Sequence, residues 1–171
     1  MLADLTLPVP LESRIGVVTL RRARSDDAAA IIALLADDAV SAARGDVAAD
    51  ADLPAYTAGL DSVLADGSND LLVAEHDGAV IGTFQLTRIP GMSRRGATRL
   101  LVEAVRVSSR LRSSGVGSAL MRWVTDVAAV DLGTPMVQLT SDAQRVDAHR
   151  FYERLGFAGS HKGFKYSVPL S

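Results

Sequence analysis

Cysteine is absent from the 171 residues, which excludes a disulfide framework, a thiolate metal site and a cysteine nucleophile. Three scattered histidines leave little for a histidine-based site, so no metal is expected. No stretch approaches the roughly 18 apolar residues needed to cross a bilayer, so no membrane partner is expected. The opening MLADLTLPVPLESRIG lacks a basic region followed by a long apolar run. No secretory signal is expected there, and the cytoplasm is the default compartment. Aromatics make up only 5% of the residues and the net charge is −2, so a nucleic-acid surface is not expected either. Internal repeats and low-complexity tracts are also missing.

What is present suits a folded domain with a sizeable core: 48% hydrophobic and 22% charged residues. The charge is unevenly spread. Residues 1–70 carry 5 basic and 12 acidic side chains, a net −7; residues 71–171 carry 13 basic and 8 acidic, a net +5. A basic half suits a phosphate-rich ligand and an acidic half a cationic one, although solvated faces give the same counts.

Residues 1–14 hold two prolines and no periodicity, which predicts a flexible tail ahead of a single domain over 15–171. A strand is expected over 16–23. Ser25 then caps a helix with Asp26 and Asp27 in its first turn and Ile31, Leu34 and Leu35 inward. A second helix opens at Asp52 and Pro54 with Tyr56, Leu60, Val63 and Leu64 inward. DLLVAEH, Asp77-Gly78 and AVIGTFQLTRI form the strongest hairpin signal in the chain. A strand follows over 98–107, then a helix with Val116, Ala119, Leu120, Trp123 and Val127 on one face, and PMVQLT as a short strand. Ser141 and Gln144 have capping-box spacing for a last helix, whose Ala148, Phe151, Tyr152 and Leu155 fall on one face. GFAGSHKGFKYSV is expected to supply one or two closing strands.

Between the 98–107 strand and its helix lies RLRSSGVGSAL. A phosphate-binding P-loop needs lysine and Ser or Thr after its second glycine, and none is there. A dinucleotide fingerprint needs Gly or Ala where Leu120 stands. The remaining match is Arg112-Ser113-Ser114-Gly115-Val116-Gly117, of the form Arg/Gln-x-x-Gly-x-Gly/Ala. Its physics is a helix N-terminus whose free N–H groups face an anion, with glycine letting the anion approach the backbone. Alone, it is equally a strand–turn–helix joint.

Paired with AHRFYERLGF about thirty residues on, VEAVRVSSRLRSSGVGSALM resembles the acyl-CoA-binding core of the GNAT superfamily of N-acetyltransferases. The resemblance implies an α+β fold with a mixed, mostly antiparallel sheet, helices on both faces and a splay between the fourth and fifth strands. It implies acetyl-CoA as acyl-donor cosubstrate and an amine acceptor. The pantetheine arm would lie along the strand edge at Val105, Arg106 and Val107. The pyrophosphate would meet Arg112, Ser113, Ser114, Gly115, Val116, Gly117 and Ser118, with Arg110 adding charge. Ala148 and Phe151 of the last helix would also border the cofactor. Arg145 stands where many members carry an asparagine, so that contact is altered. Tyr152 matches the position of a general acid toward the leaving thiolate, and its spacing equally fits a core aromatic.

Attack by an alkyl amine requires removal of its proton, at about 4–5 kcal/mol from a pKa near 10.4. Glu103, polar on a strand face shared with Leu101 and Val105, is the expected general base; an ion pair with Arg99 is the other reading. His149 and Arg150 are expected on the polar face of the last helix. The acceptor would meet residues 37–52, the 90–97 loop and the GSHKGFK tail, and its identity stays open. A non-catalytic acyl-CoA-binding or regulatory module is the alternative function. Homodimers occur among such proteins, and the sequence does not fix the oligomeric state.

Overall fold

The computed structural model describes residues 1–43 and 45–169 and falls into two compact units, Met1–Leu139 and Thr140–Ser171. The first is built on a six-stranded sheet in simple order: β1 (Val9–Ser13), β2 (Gly16–Arg22), β3 (Asn69–His76), β4 (Ala79–Ile89), β5 (Arg99–Val107) and β6 (Met136–Leu139). All neighbours are antiparallel except β5 and β6. Asp77 and Gly78 both take positive φ, as the tight β3–β4 hairpin requires.

Helices cover both faces. Helices α1 (Ala28–Ala36) and α3 (Leu53–Ala65) place Ile31 and Leu60 on Leu71 and Val73 of β3. The short α2 (Ala39–Ala42) lies between them in the chain. On the opposite face lie Leu72, Phe84 and Leu86, all fully buried. There α5 (Val116–Trp123) brings Leu120 to Gly82 and stacks Trp123 against Phe84 at 6.4 Å. A short α4 (Ser93–Gly96) holds Arg94 and Arg95 at φ 52° and 61° in a left-handed turn.

Asp27 does not behave as a solvated first-turn carboxylate. It is buried and takes two hydrogen bonds from Arg21, at 2.7 and 2.8 Å, while Arg21 Nε holds Glu75 at 2.8 Å. Arg21 holds the Asp27 carboxyl below the usual carboxylate range. The pair fixes the start of α1 over the sheet.

Several expectations need correction. The predicted tail is ordered: β1 pairs with β2 along its whole length, and Leu2 and Leu5 are buried. Burying a leucine stabilises by about 1.5–3 kcal/mol, and Arg22 adds hydrogen bonds to the carbonyls of Leu2 and Leu5. The splay therefore falls between the fifth and sixth strands, the same two segments as expected, because β1 adds one to the count. Val127 is 42% exposed because residues Val124–Ala128 form a π-helical turn ahead of α6 (Ala129–Asp131). The wider turn advances the inward face, so Ala128 and Ala129 are buried instead. Leu64 is likewise exposed at the end of α3.

The second unit carries α7 (Val146–Arg154). Its approach is shaped by Asp142, whose carboxylate accepts the Gln144 N–H at 2.8 Å, rather than by a Ser141–Gln144 capping box. Gly156 at φ 91° ends the helix, and Phe157 N–H returns to the Tyr152 carbonyl. The closing strands are not formed: residues 157–169 have no ladder, and Phe164 and Tyr166 are exposed. A strand needs a hydrogen-bonding neighbour, and among the described residues this segment has none. Leu170 lies outside the described residues.

Candidate active site

The parting of two strands begins with register. β5 pairs with β6 only from Arg99 to Val102, so its edge is open from Glu103 to Val107 among the described residues. On its other side Thr83 faces Arg106 while Gln85 faces Glu103. Phe84 alone therefore stands opposite Ala104 and Val105, a β-bulge with Ala104 at φ 50°. The bulge breaks the alternation, so Glu103 shares its face with Leu101 and Arg106 rather than with Val105. β5 comes close to β4 here: a Cβ on Gly82 would sit 3.1 Å from the Arg106 carbonyl oxygen.

Glu103 is exposed and makes no ion pair with Arg99 among the described residues. Its strand neighbours are more committed. Arg106 donates to Ser41 Oγ at 2.5 Å and to the Val105 carbonyl at 2.8 Å, so its guanidinium turns toward α2. The Val105 carbonyl expected on the pantetheine is thus bonded within its own strand, while Val107 stands opposite Gly82.

After β5 the chain makes a 3-10 turn at Ser109–Leu111, passes Ser113 at φ 63° and Gly115 at φ 87°, and enters α5 at Val116. The carbonyls of Ser113 and Ser114 accept from Arg14, at 3.1 Å from Nη1 and 2.9 Å from its backbone N–H. In a trans peptide the N–H points opposite the carbonyl, so the Gly115 N–H faces away from Arg14. Gly117 and Ser118 lie in the first turn of α5, where an N–H has no helical acceptor. Three donors at a helix start, with positive dipole behind them, suit an anion. A side chain at Gly115 would meet Arg14 at 3.4 Å and strain the positive φ. Arg110 and Arg112 are exposed beside this loop.

Asp37, at the end of α1, accepts the Ser109 N–H at 2.6 Å and its hydroxyl at 2.9 Å. Those bonds to Ser109 hold its carboxyl below the usual range, with Arg112 and Arg110 adding. In the neighbouring connection Tyr56 donates to Asp46 at 2.7 Å, and that bond pushes the phenol up to about 12.

In the second unit Ala148, Phe151, Tyr152 and Leu155 share the half-buried face of α7. Tyr152 stacks edge-on with Phe151 at 5.1 Å and with Phe157 at 5.8 Å. Arg145 is the residue before the helix, and its carbonyl takes the His149 N–H. His149 is not on a free polar face: its Nε2 lies 2.8 Å from the Asp142 carbonyl. Arg150 is exposed, near Asp147 at 3.6 Å.

Sequence reasoning missed Arg14 and Asp37. Each acts on a loop 72 to 99 residues away, and no local spacing marks such a contact.

A mixed sheet with an open bulged strand leading into a helix start with free N–H groups is the arrangement that the sequence resemblance implies for an acyl-CoA-binding core. The model of the acetyltransferase (GNAT) family matches residues 20–157. An aminoalkylphosphonate N-acetyltransferase of Salmonella typhimurium is 27% identical over 159 residues, 93% of this chain and 96% of its own. A Bacillus halodurans structure described as a transcriptional regulator is 36% identical with TM-score 0.82, over 88% of this chain and 99% of that one. A Clostridium acetobutylicum acetyltransferase solved with acetyl-CoA shares the fold at 13% identity and TM-score 0.67, over 88% and 96%. The chain belongs to the GNAT family of acetyltransferases. It is an acyltransferase that moves an acetyl group to an amine, and the family's acyl donor is acetyl-CoA. No helix among the described residues is long and apolar enough to cross a membrane.

Proposed function

We propose that the chain acetylates a small primary amine by direct attack on the thioester, with Glu103 as general base and Tyr152 as general acid. The observation that carries this reading is the open edge of β5 leading into the Gly115 loop, with Glu103 on that strand twelve residues before Gly115. Glu103 takes the proton from the ammonium, directly or through one water. The freed nitrogen forms a bond to the acyl carbon, the carbon–sulfur bond breaks, and the nitrogen gives up its second proton to solvent to leave a neutral amide. Tyr152 O–H gives its proton to the departing thiolate and regains one from solvent. Val107 and the Gly115, Gly117 and Ser118 N–H groups hold the donor, with Arg110 and Arg112 adding positive charge near its phosphates. Ser113, Ser114 and Val116 shape that loop, and Arg145, Ala148 and Phe151 are further donor contacts that the family resemblance implies. Arg106 acts through the strand edge it braces. The amine class is supported by the Salmonella relative, whose name gives an aminoalkylphosphonate as acceptor.

Thiol release from acetyl-CoA across a panel of primary amines, aminoalkylphosphonates included, tests the reading. Release above the hydrolysis rate is expected with at least one amine. Tyr152→Phe should lower kcat about five- to tenfold and leave acetyl-CoA binding within twofold. An unchanged kcat removes the acid role. Tight acetyl-CoA binding without transfer to any amine would instead support the regulatory-module alternative.

A further inference from the structure

We infer that the acceptor is zwitterionic: a small amine that also carries an oxyanion, with the oxyanion held by Arg99. The inference rests on the reading of Glu103 as the base and names the substrate class of that same site. Arg99 and Glu103 lie on the same face of β5, four residues apart, about 13 Å between Cα atoms at 3.3 Å per residue. Long side chains rising from two such points can bracket a small molecule.

The two ends have opposite chemistry. Gln85 stands directly across from Glu103. Its amide N–H groups go to Asn69 Oδ1 at 2.8 Å and Thr87 Oγ1 at 3.5 Å, which leaves its carbonyl oxygen as the available acceptor. Thr87 also spends its hydroxyl on Asn69, at 2.6 Å. A carboxylate and an amide oxygen favour an ammonium. At the other end, Arg99 Nε is buried with no hydrogen-bond partner among the described residues. A guanidinium carries five donors and no acceptor, so an unpartnered buried Nε calls for an incoming acceptor. The positive charge there is reinforced: Arg94 Nη1 lies 3.3 Å from Sδ of Met136, the β6 register partner of Arg99. Neither Arg94, Arg95 nor Arg99 forms an ion pair among the described residues, so nothing neutralises this end. A purely cationic amine would be repelled from half of the site.

The test measures initial rates of thiol release at saturating acetyl-CoA with matched amines: O-phosphoethanolamine against ethanolamine, and β-alanine against propylamine. At least one oxyanion-bearing member should exceed its cationic partner tenfold or more in kcat/KM; which pair responds tells a phosphate from a carboxylate. Arg99→Gln should erase that preference by raising KM for the oxyanion-bearing amine at least tenfold, with the cationic amine no slower. Arg99→Lys should restore part of it, and it carries the test if Arg99→Gln does not fold. Equal or faster turnover of the cationic amines, or equal slowing of both by Arg99→Gln, overturns the inference. Should no amine react, the acid–base reading fails on its own, and calorimetry of the same amines with the coenzyme A-bound protein decides this one. Binding of an anionic amine lost in Arg99→Gln upholds it; absent or unchanged binding overturns it.

Discussion

The loop after β5 and the face of β5 that carries Glu103 present charge by different means. In the loop the backbone presents it: Gly115, Gly117 and Ser118 offer N–H groups, and Arg14 draws the Ser113 and Ser114 carbonyls away. On the strand face side chains do it, with Glu103 and Gln85 at one end and Arg99 at the other. A backbone cradle requires a conformation and tolerates most side chains, so its substitutions should alter binding of the shared donor. A side-chain face is set residue by residue, so its substitutions should alter which acceptor reacts and how fast.

The largest break in that comparison is Glu103→Gln. It should lower kcat/KM at pH 7 by a hundredfold or more, with acetyl-CoA affinity measured calorimetrically within twofold. A comparable loss of donor affinity would mean that the strand face and the loop are not separable.

Next in size is the support beneath the acceptor face. Asp27→Asn removes a charge from a pair whose side chains are only 8% and 16% exposed. It should cost about 2 kcal/mol of stability in chemical denaturation at pH 7, below the 3–5 kcal/mol for stripping a fully buried pair. The Asp27 carboxyl titrates below its unfolded value, so its contribution is present above the ordinary value of about 3.9. It is lost as pH falls through the lower folded value. Protein and variant should therefore converge as acidification passes below that folded value.

The smallest effect sharpens the other side. Gly115→Ala forces an L side chain to φ 87° at about 1–2 kcal/mol, against Arg14 at 3.4 Å. The KM for acetyl-CoA should rise about tenfold while the preference among amines is unchanged. A shift in that preference would tie the loop to acceptor choice.

Legibility in the sequence followed the same division. RLRSSGVGSAL was readable because glycine, positive φ and a helix start are contiguous, and the splay came with the family resemblance that this motif carries. The edge strand β1 was not readable. It is five residues long with Pro10 inside, and proline is tolerated there only because an edge strand leaves some N–H groups unpaired. The 157–169 segment erred in the opposite direction, since strand-like composition without a neighbour to bond yields no strand. The π turn after α5 was invisible to a 3.6-residue period, and it moved Val127 outward.

Within the sequence alone, the glycine loop at Gly115, the strand leading into it and the family with its acyl donor were legible. These depend on backbone conformation over a dozen contiguous residues. Only the tertiary structure decided how Arg14 braces that cradle, which residue faces Glu103 across the sheet and that Arg99 Nε is buried without a partner. The reason is physical. Register and burial arise from pairing between segments far apart in the chain, and a one-residue bulge at Ala104 is enough to change which side chains share a face.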